Sequence, residues 1–301
     1  MPPDKHTIGL IARELATEEA FIEKDWHGVQ VLAAIAALVY PDYLLVFAGG
    51  TALSKAHKLI QRFSEDIDFR LHPVGHIPKR AALSKLKNSL IASLRDAGFQ
   101  IDEGSIIARN DNRYFTFNIR YEKQFEHSAL RPDIKVEVTL DSPKLPVAVL
   151  PVSSLVASFT QQPPEVAAIT CLAYVENAAD KFSAAVWRIS ARERGTGHDD
   201  PTLVRHLYDL ALLKDAVIDD PQFVELARAT MNADNERTKD GAFAALSLQE
   251  KCAHMIAIVE QDDLYPGEYE NFVAGLSYAS KEDTPDFASA LTAFRQLAAL
   301  I

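Results

Sequence analysis

Apolar residues recur at helical spacing over residues 8–24 and again over 26–40, and Pro41-Asp42 stops the pattern. A short apolar run closed by two glycines follows, YLLVFAGG (43–50), which predicts a buried strand entering a tight turn. TALSKAHKLI (51–60) opens with an N-cap-type Thr51 and continues with good helix formers. SEDIDFRL (64–71) alternates polar and apolar positions and reads as a strand. In 79–97, Leu83, Leu86, Leu90 and Leu94 form one apolar stripe, the pattern of an amphipathic helix, and Gly98 ends it. Three further strands are expected at about 99–108, 113–122 and 133–141, the last with strict alternation (DIKVEVTLD).

The texture changes across Pro143, Pro146, Pro151, Pro163 and Pro164. From residue 165 onward every segment reads as helix: 165–192, 202–217, 221–233, 239–262 and 283–300, with breaks at 195–201 and 263–268. The expected fold class is α+β, a mixed sheet with flanking helices followed by a C-terminal helical domain. The expected division is residues 1–150 and 151–301.

Composition narrows the class. With 48% hydrophobic residues in 301, the chain can bury a substantial core, which excludes global disorder. The net charge of −11 argues against a protein that coats nucleic acid non-specifically. That charge is uneven: residues 1–160 hold 19 Lys+Arg and 19 Asp+Glu, while residues 161–301 hold 12 and 23 and so carry the whole excess. Cys171 and Cys252 lie among apolar residues at helical spacing and read as buried free thiols, which leaves no disulfide scaffold. The charged N-terminus lacks a signal-peptide core, and the longest apolar run, Val31 to Tyr40, is too short to span a bilayer. The expectation is a reduced, cytoplasmic, soluble protein with no membrane partner.

The chemistry concentrates in residues 47–71, FAGGTALSKAHKLIQRFSEDIDFRL. Asp66 and Asp68 stand two apart on a strand, so both carboxylates share one face while Ile67 and Phe69 take the other. Two carboxylates this close repel unless a cation sits between them, and an oxygen pair on a rigid strand suits Mg²⁺ (or Mn²⁺) together with substrate phosphates. The Gly49-Gly50 turn lets backbone N–H groups approach a phosphate, and Thr51 adds a hydroxyl there. In DIKVEVTLD, Lys135, Glu137 and Thr139 share a face, so Glu137 could complete a three-carboxylate, two-metal clamp for phosphoryl-type transfer. Singly, these are ordinary features: a turn, a solvated strand face, an exposed glutamate. Their order is what points to a metal–nucleotide site.

GGTALSKAHKLIQRFSEDIDF resembles the signature of the AbiEii/AbiGii toxin family, within the nucleotidyltransferase superfamily with a polymerase-β-like core. The resemblance maps Gly49, Gly50 and Thr51 onto the nucleotide turn, Arg62 and Ser64 onto the R-x-S-x-D-x-D lead-in, and Asp66 and Asp68 onto the metal pair. A third acidic residue comes from a later strand in that superfamily, the place of Glu137. VENAADKFSAAVWR (175–188) is similar to the family's E-x-x-x-D-K helix, mapping Glu176, Asp180 and Lys181. VRHLYDLALL (204–213) is similar to its R-H/D-L-Y-D-L helix, mapping Arg205, His206, Tyr208 and Asp209; some relatives carry Asp at the place of His206.

The resemblance implies a nucleotidyltransferase-like sheet and transfer of an NMP from an NTP to an acceptor hydroxyl with Mg²⁺. Asp66, Asp68 and Glu137 would hold metal. Gly49, Gly50, Thr51, Arg62, Ser64 and Lys181 would bind nucleotide, and Asp209 would orient Lys181 or a metal ligand; Arg188, placed beside Lys181 by helix geometry and not by the family motif, would join it on the triphosphate. It further implies an acceptor such as tRNA in some members and a cognate antitoxin. On an ideal helix, Lys181, Arg188 and Arg192 lie within about 20° of one direction, a basic stripe in an acidic half. Arg205 and Asp209 are one turn apart and could pair. Two alternatives stay open: a small-molecule nucleotidyltransferase, and a non-catalytic nucleotide-binding module that kept the fold.

Overall fold

Alternation decides the centre of the first half. In a computed structural model, which describes residues 2–128, 130–197, 199–238 and 240–301, the chain divides into two compact units, Met1–Ala173 and Tyr174–Ile301. Lys239, first residue of the expected 239–262 helix, lies outside the described residues, as does Met1 of the expected first domain.

The first unit runs α1 (Lys5–Glu14), α2 (Glu19–Ala36), β1 (Tyr43–Ala48), α3 (Gly49–Lys55), β2 (Asp66–Pro73), α4 (Arg80–Asp96), β3 (Gln100–Ile101), β4 (Ile107–Arg109), β5 (Tyr114–Arg120), β6 (Asp133–Leu140), β7 (Ala148–Val152), α5 (Leu155–Phe159) and β8 (Val166–Cys171). Among the described residues these strands make one mixed sheet in the order β3-β5-β6-β2-β1-β8-β7, with β4 also on β5. β2 pairs antiparallel with β1 and parallel with β6, and β5 pairs antiparallel with β6. Period-two alternation therefore stacks Ile67, Phe69, Leu71, Val136, Val138, Phe115 and Phe117 on one face, where they share a core with Leu83, Leu86, Leu90 and Leu94 of α4 and Val29 and Leu32 of α2. The opposite face carries Asp66, Asp68, Lys135, Glu137, Tyr114 and Thr116. The strand period that builds the core also sets out the polar constellation.

Three sequence expectations are corrected here. The first helix breaks at Leu15–Glu18, with Ala16 at φ +47°, and not at Asp25, so α2 is a single helix from Glu19 to Ala36. Thr51 is not an N-cap: α3 begins at Gly49, preceded by the extended Ala48. Residues 165–192 are not one helix, because Val166–Cys171 forms β8, parallel to β1 and antiparallel to β7. Its alanines carry helix propensity, but both neighbouring strands offer backbone partners and tertiary pairing overrides it.

The second unit is helical: α6 (Tyr174–Ser190), α7 (Arg205–Val217), α8 (Pro221–Asn235), α9 (Gly241–Ala244), α10 (Leu248–Gln261), α11 (Leu264–Leu276) and α12 (Phe287–Ala298). The sequence pattern missed α11, whose Tyr265, Tyr269 and Phe272 are buried. Phe182 anchors this core, stacked on Phe294 at 4.9 Å and edge-on to Phe223 at 5.9 Å. After α6 the chain is pinned by Arg192, bonded at 2.7 Å to Asp199 and to both oxygens of Glu268. Among the described residues no helix is long and apolar enough to cross a membrane.

Candidate active site

The site is assembled around β2. Asp66 and Asp68 point to the polar face of the sheet, as their spacing requires. Register then supplies what spacing cannot: Asp68 lies directly beside Glu137 on β6, with Ala48, the last residue of β1, on its other side. Strands about 4.8 Å apart keep two such side chains within reach of one small cation. Beyond Glu137, Thr116 of β5 continues the row, and Tyr114 donates its hydroxyl to Glu137 Oε1 at 3.2 Å. Burial and then the nearby Glu137 charge push the Tyr114 phenol up to about 12, so it stays protonated and remains a donor.

The glycine turn closes over Asp68. Gly49 sits at φ +75°, in the left-handed region, and a Cβ there would fall well inside contact distance of Asp68 Oδ2 and 3.0 Å from its Cγ. A Cβ on Gly50 would meet Arg62 Nη2 at 2.9 Å and Ser64 Oγ at 3.1 Å. Gly49 is therefore required by backbone conformation as well as by close approach, while a side chain on Gly50 would displace the ends of Arg62 and Ser64. The same distances bring Gly49, Gly50, Arg62, Ser64 and Asp68 into one cluster. Arg62 is buried and donates to the Phe63 carbonyl at 2.9 Å. Thr51 donates its hydroxyl to the Asp66 carbonyl, which ties the turn to the strand.

Gly49→Ala is expected to lose about 1–2 kcal/mol of stability from the left-handed backbone, and at least tenfold in activity because the methyl displaces Asp68. Gly98→Ala is the control. Gly98 has φ +92° and nothing within 4 Å of its would-be Cβ, so that variant is expected to lose similar stability and keep its activity. Denaturant melts alongside pyrophosphate release distinguish strain from obstruction.

Two cations complete the face, one of them, Arg131, with no signal in the sequence. Arg131 Nη1 binds Asp66 Oδ1 at 2.7 Å, and Lys135 pairs with Glu137. Burial works against the Arg131 charge, but Asp66 and Glu65 outweigh it and raise its pKa. Lys135 was legible as a face-mate of Glu137; Arg131, on the stretch leading into β6, carried no pattern at all. Among the described residues, no three His, Cys, Asp or Glu side chains are gathered tightly enough to enclose a metal ion. The donor chemistry nevertheless fits one: carboxylate oxygens alone, the set that Mg²⁺ and Mn²⁺ prefer, on a face where Gly49 leaves room beside Asp68.

Lys181, Arg188 and Asp209 belong to the second unit. Lys181 of α6 binds Asp209 of α7 at 2.6 Å, and both are buried. The two motifs read as separate helices, E-x-x-x-D-K and R-H-L-Y-D-L, thus meet through this pair. The expected Arg205–Asp209 pair does not form; Arg205 binds Asp200 at 3.1 Å, and Arg188 approaches the same carboxylate at 4.0 Å. Arg192 lies past the end of α6 and leaves the expected basic stripe for Asp199 and Glu268. His206 is buried on α7.

Residues 30–293 match the family described as "Nucleotidyl transferase AbiEii toxin, Type IV TA system". The chain belongs to this family. As an AbiEii-family protein it is a nucleotidyltransferase of the toxin–antitoxin class. Among solved structures it is similar to MenT4, the nucleotidyltransferase toxin Rv2826c from Mycobacterium tuberculosis H37Rv, with a TM-score of 0.50 over 97% of this chain and 98% of that one. Identity is 19%, so this likeness speaks for the AbiEii fold alone. A search of curated proteins finds no match.

Proposed function

We propose that this AbiEii protein moves a nucleoside monophosphate from an NTP to an acceptor hydroxyl at the face formed by Asp66, Asp68 and Glu137, and that pyrophosphate leaves. The observation that carries this reading is the register of Asp68 with Glu137 beneath the Gly49 turn. The acceptor oxygen forms a bond to the α-phosphorus as the α–β bridging oxygen departs with pyrophosphate. A divalent cation, Mg²⁺ or Mn²⁺, held by Asp66, Asp68 and Glu137, supplies charge neutralisation and orientation for the reacting oxygens. Glu137, whose Oε1 accepts from the Tyr114 hydroxyl, also takes the acceptor proton. Gly49 and Gly50 bring backbone to the phosphates, with Arg62 and Ser64 behind them. In the second unit, Asp209 fixes the ammonium of Lys181, which with Arg188 is the group this reading reserves for phosphate charge. The acceptor in this reading is RNA, with tRNA the first candidate. The partner that silences the protein is a cognate antitoxin, and the acidic residues 161–301 favour one with a basic surface.

The test is incubation with Mg²⁺, each α-labelled NTP in turn and total RNA. Expected are pyrophosphate release and label in a discrete RNA band with one preferred nucleotide. Label appearing only in a small-molecule acceptor would replace the RNA substrate, and tight Mg-NTP binding without pyrophosphate would make the chain a binding module.

A further inference from the structure

We infer that Arg131 and Lys135 are internal counter-cations of the acidic face, which lower its affinity for free metal and pass to the nucleotide's phosphates on binding, so that metal and nucleotide enter together. The inference rests on the reading of Asp66, Asp68 and Glu137 as the metal-holding set. Three carboxylates on two neighbouring strands repel one another. Here the repulsion is offset from within: Arg131 sits on Asp66 at 2.7 Å, Lys135 sits on Glu137, and the register puts Lys135 beside Asp66 as well. Those are the oxygens a divalent cation needs, so each ion pair competes with it.

The attachment of Arg131 is suited to a transfer. Its backbone is held on both sides of the residue: its N–H donates to Glu65 Oε2 at 2.8 Å, and its carbonyl accepts from Lys24 Nζ at 3.0 Å. Lys24 and Glu65 are themselves paired. The guanidinium, by contrast, is half-exposed on a flexible stem (49%) and matches carboxylate and phosphate equally well. Lys135 is a point charge of the same sign on the strand beside it. When metal takes the carboxylates, both cations lose their partners, and a polyphosphate is the anion at hand to receive them. Linkage then requires that nucleotide raise metal affinity by the factor with which metal raises nucleotide affinity.

Mn²⁺ binding to the full chain, followed by calorimetry and by the electron paramagnetic resonance signal of free Mn²⁺, tests this without turnover. It is measured alone and with each of the four α,β-methylene nucleoside triphosphates. Arg131→Gln and Lys135→Gln are each expected to tighten Mn²⁺ binding alone by about two- to fivefold, the range for a half-exposed ion pair. In both variants the further tightening by nucleotide shrinks. Arg109→Gln controls for net charge, because Arg109 is exposed on β4 and close enough for its charge to act on Tyr114. Unchanged affinity in the two variants, or an equal shift in Arg109→Gln, overturns the inference. Mn²⁺ binding that Asp68→Asn abolishes, but Arg131 and Lys135 do not influence, overturns the inference alone. Binding that is absent throughout, or indifferent to Asp68→Asn, overturns the metal reading with it.

Discussion

Asp68→Asn is expected to lower kcat/KM for nucleotidyl transfer by about 10³-fold or more, close to 4 kcal/mol of transition-state stabilisation, while thermal melting stays within a degree or two of the parent. The contrast follows from position. Asp68 is the central carboxylate, in register with Glu137 on one side and Ala48 on the other, and directly under the Gly49 turn. Asparagine keeps the shape that Gly49 accommodates, so the turn, the strand pairing and the apolar row of Ile67 and Phe69 behind it persist. What disappears is the negative charge that would hold a cation against the anionic, reacting phosphate. Loss of one carboxylate from a crowded face also relieves repulsion, so stability is not expected to fall. Steady-state pyrophosphate release and a melting curve, taken on one preparation, decide the matter. A fully active Asp68→Asn protein would remove the acidic face from the mechanism.

Asp209→Ala produces the opposite signature, with stability as the first loss. Asp209 is fully buried, and its partner Lys181 is 9% exposed, so removing the carboxylate takes the opposite charge of this ion pair away from an interior ammonium. Breaking a buried pair in this way costs about 3–5 kcal/mol, or roughly 10 °C in Tm for a chain of this size. Replacing both members with apolar residues, as Lys181→Met with Asp209→Leu, removes the buried charge as well and is expected to recover most of the melting temperature. The double variant remains inactive if Lys181 serves the triphosphate, and regains activity if the pair only joins α6 to α7. Calorimetry and the transfer assay on the single and double variants separate the two roles.

The legibility of these features in the sequence varies with the range of the interaction behind each. Alternation in DIDF and DIKVEV located β2 and β6 and put Asp66, Asp68 and Glu137 on polar faces, because strand periodicity is a local property. That Asp68 and Glu137 would be neighbours depended on β2 and β6 pairing in parallel, which no window of sequence contains. The Arg131–Asp66 contact spans 65 residues of chain and left no local trace. The helical motifs around Lys181 and Asp209 were each visible, but single-helix geometry offered Arg205 as the partner of Asp209, and tertiary packing chose Lys181. β8 was misread for a related reason: its composition is compatible with helix, and only the neighbouring strands determine its state.

The parallel seam between β2 and β6 also orders events in time. β1 and β2 pair antiparallel across a short stretch of chain, so Asp66 and Asp68 can be set in place early in synthesis. Glu137 joins them only after a long excursion through α4 and β5 has emerged and docked, and non-local pairings of this kind form late because loop closure must come first. A chain that is nicked or stalled before Asp133 carries the glycine turn and two of the three carboxylates, yet no complete face.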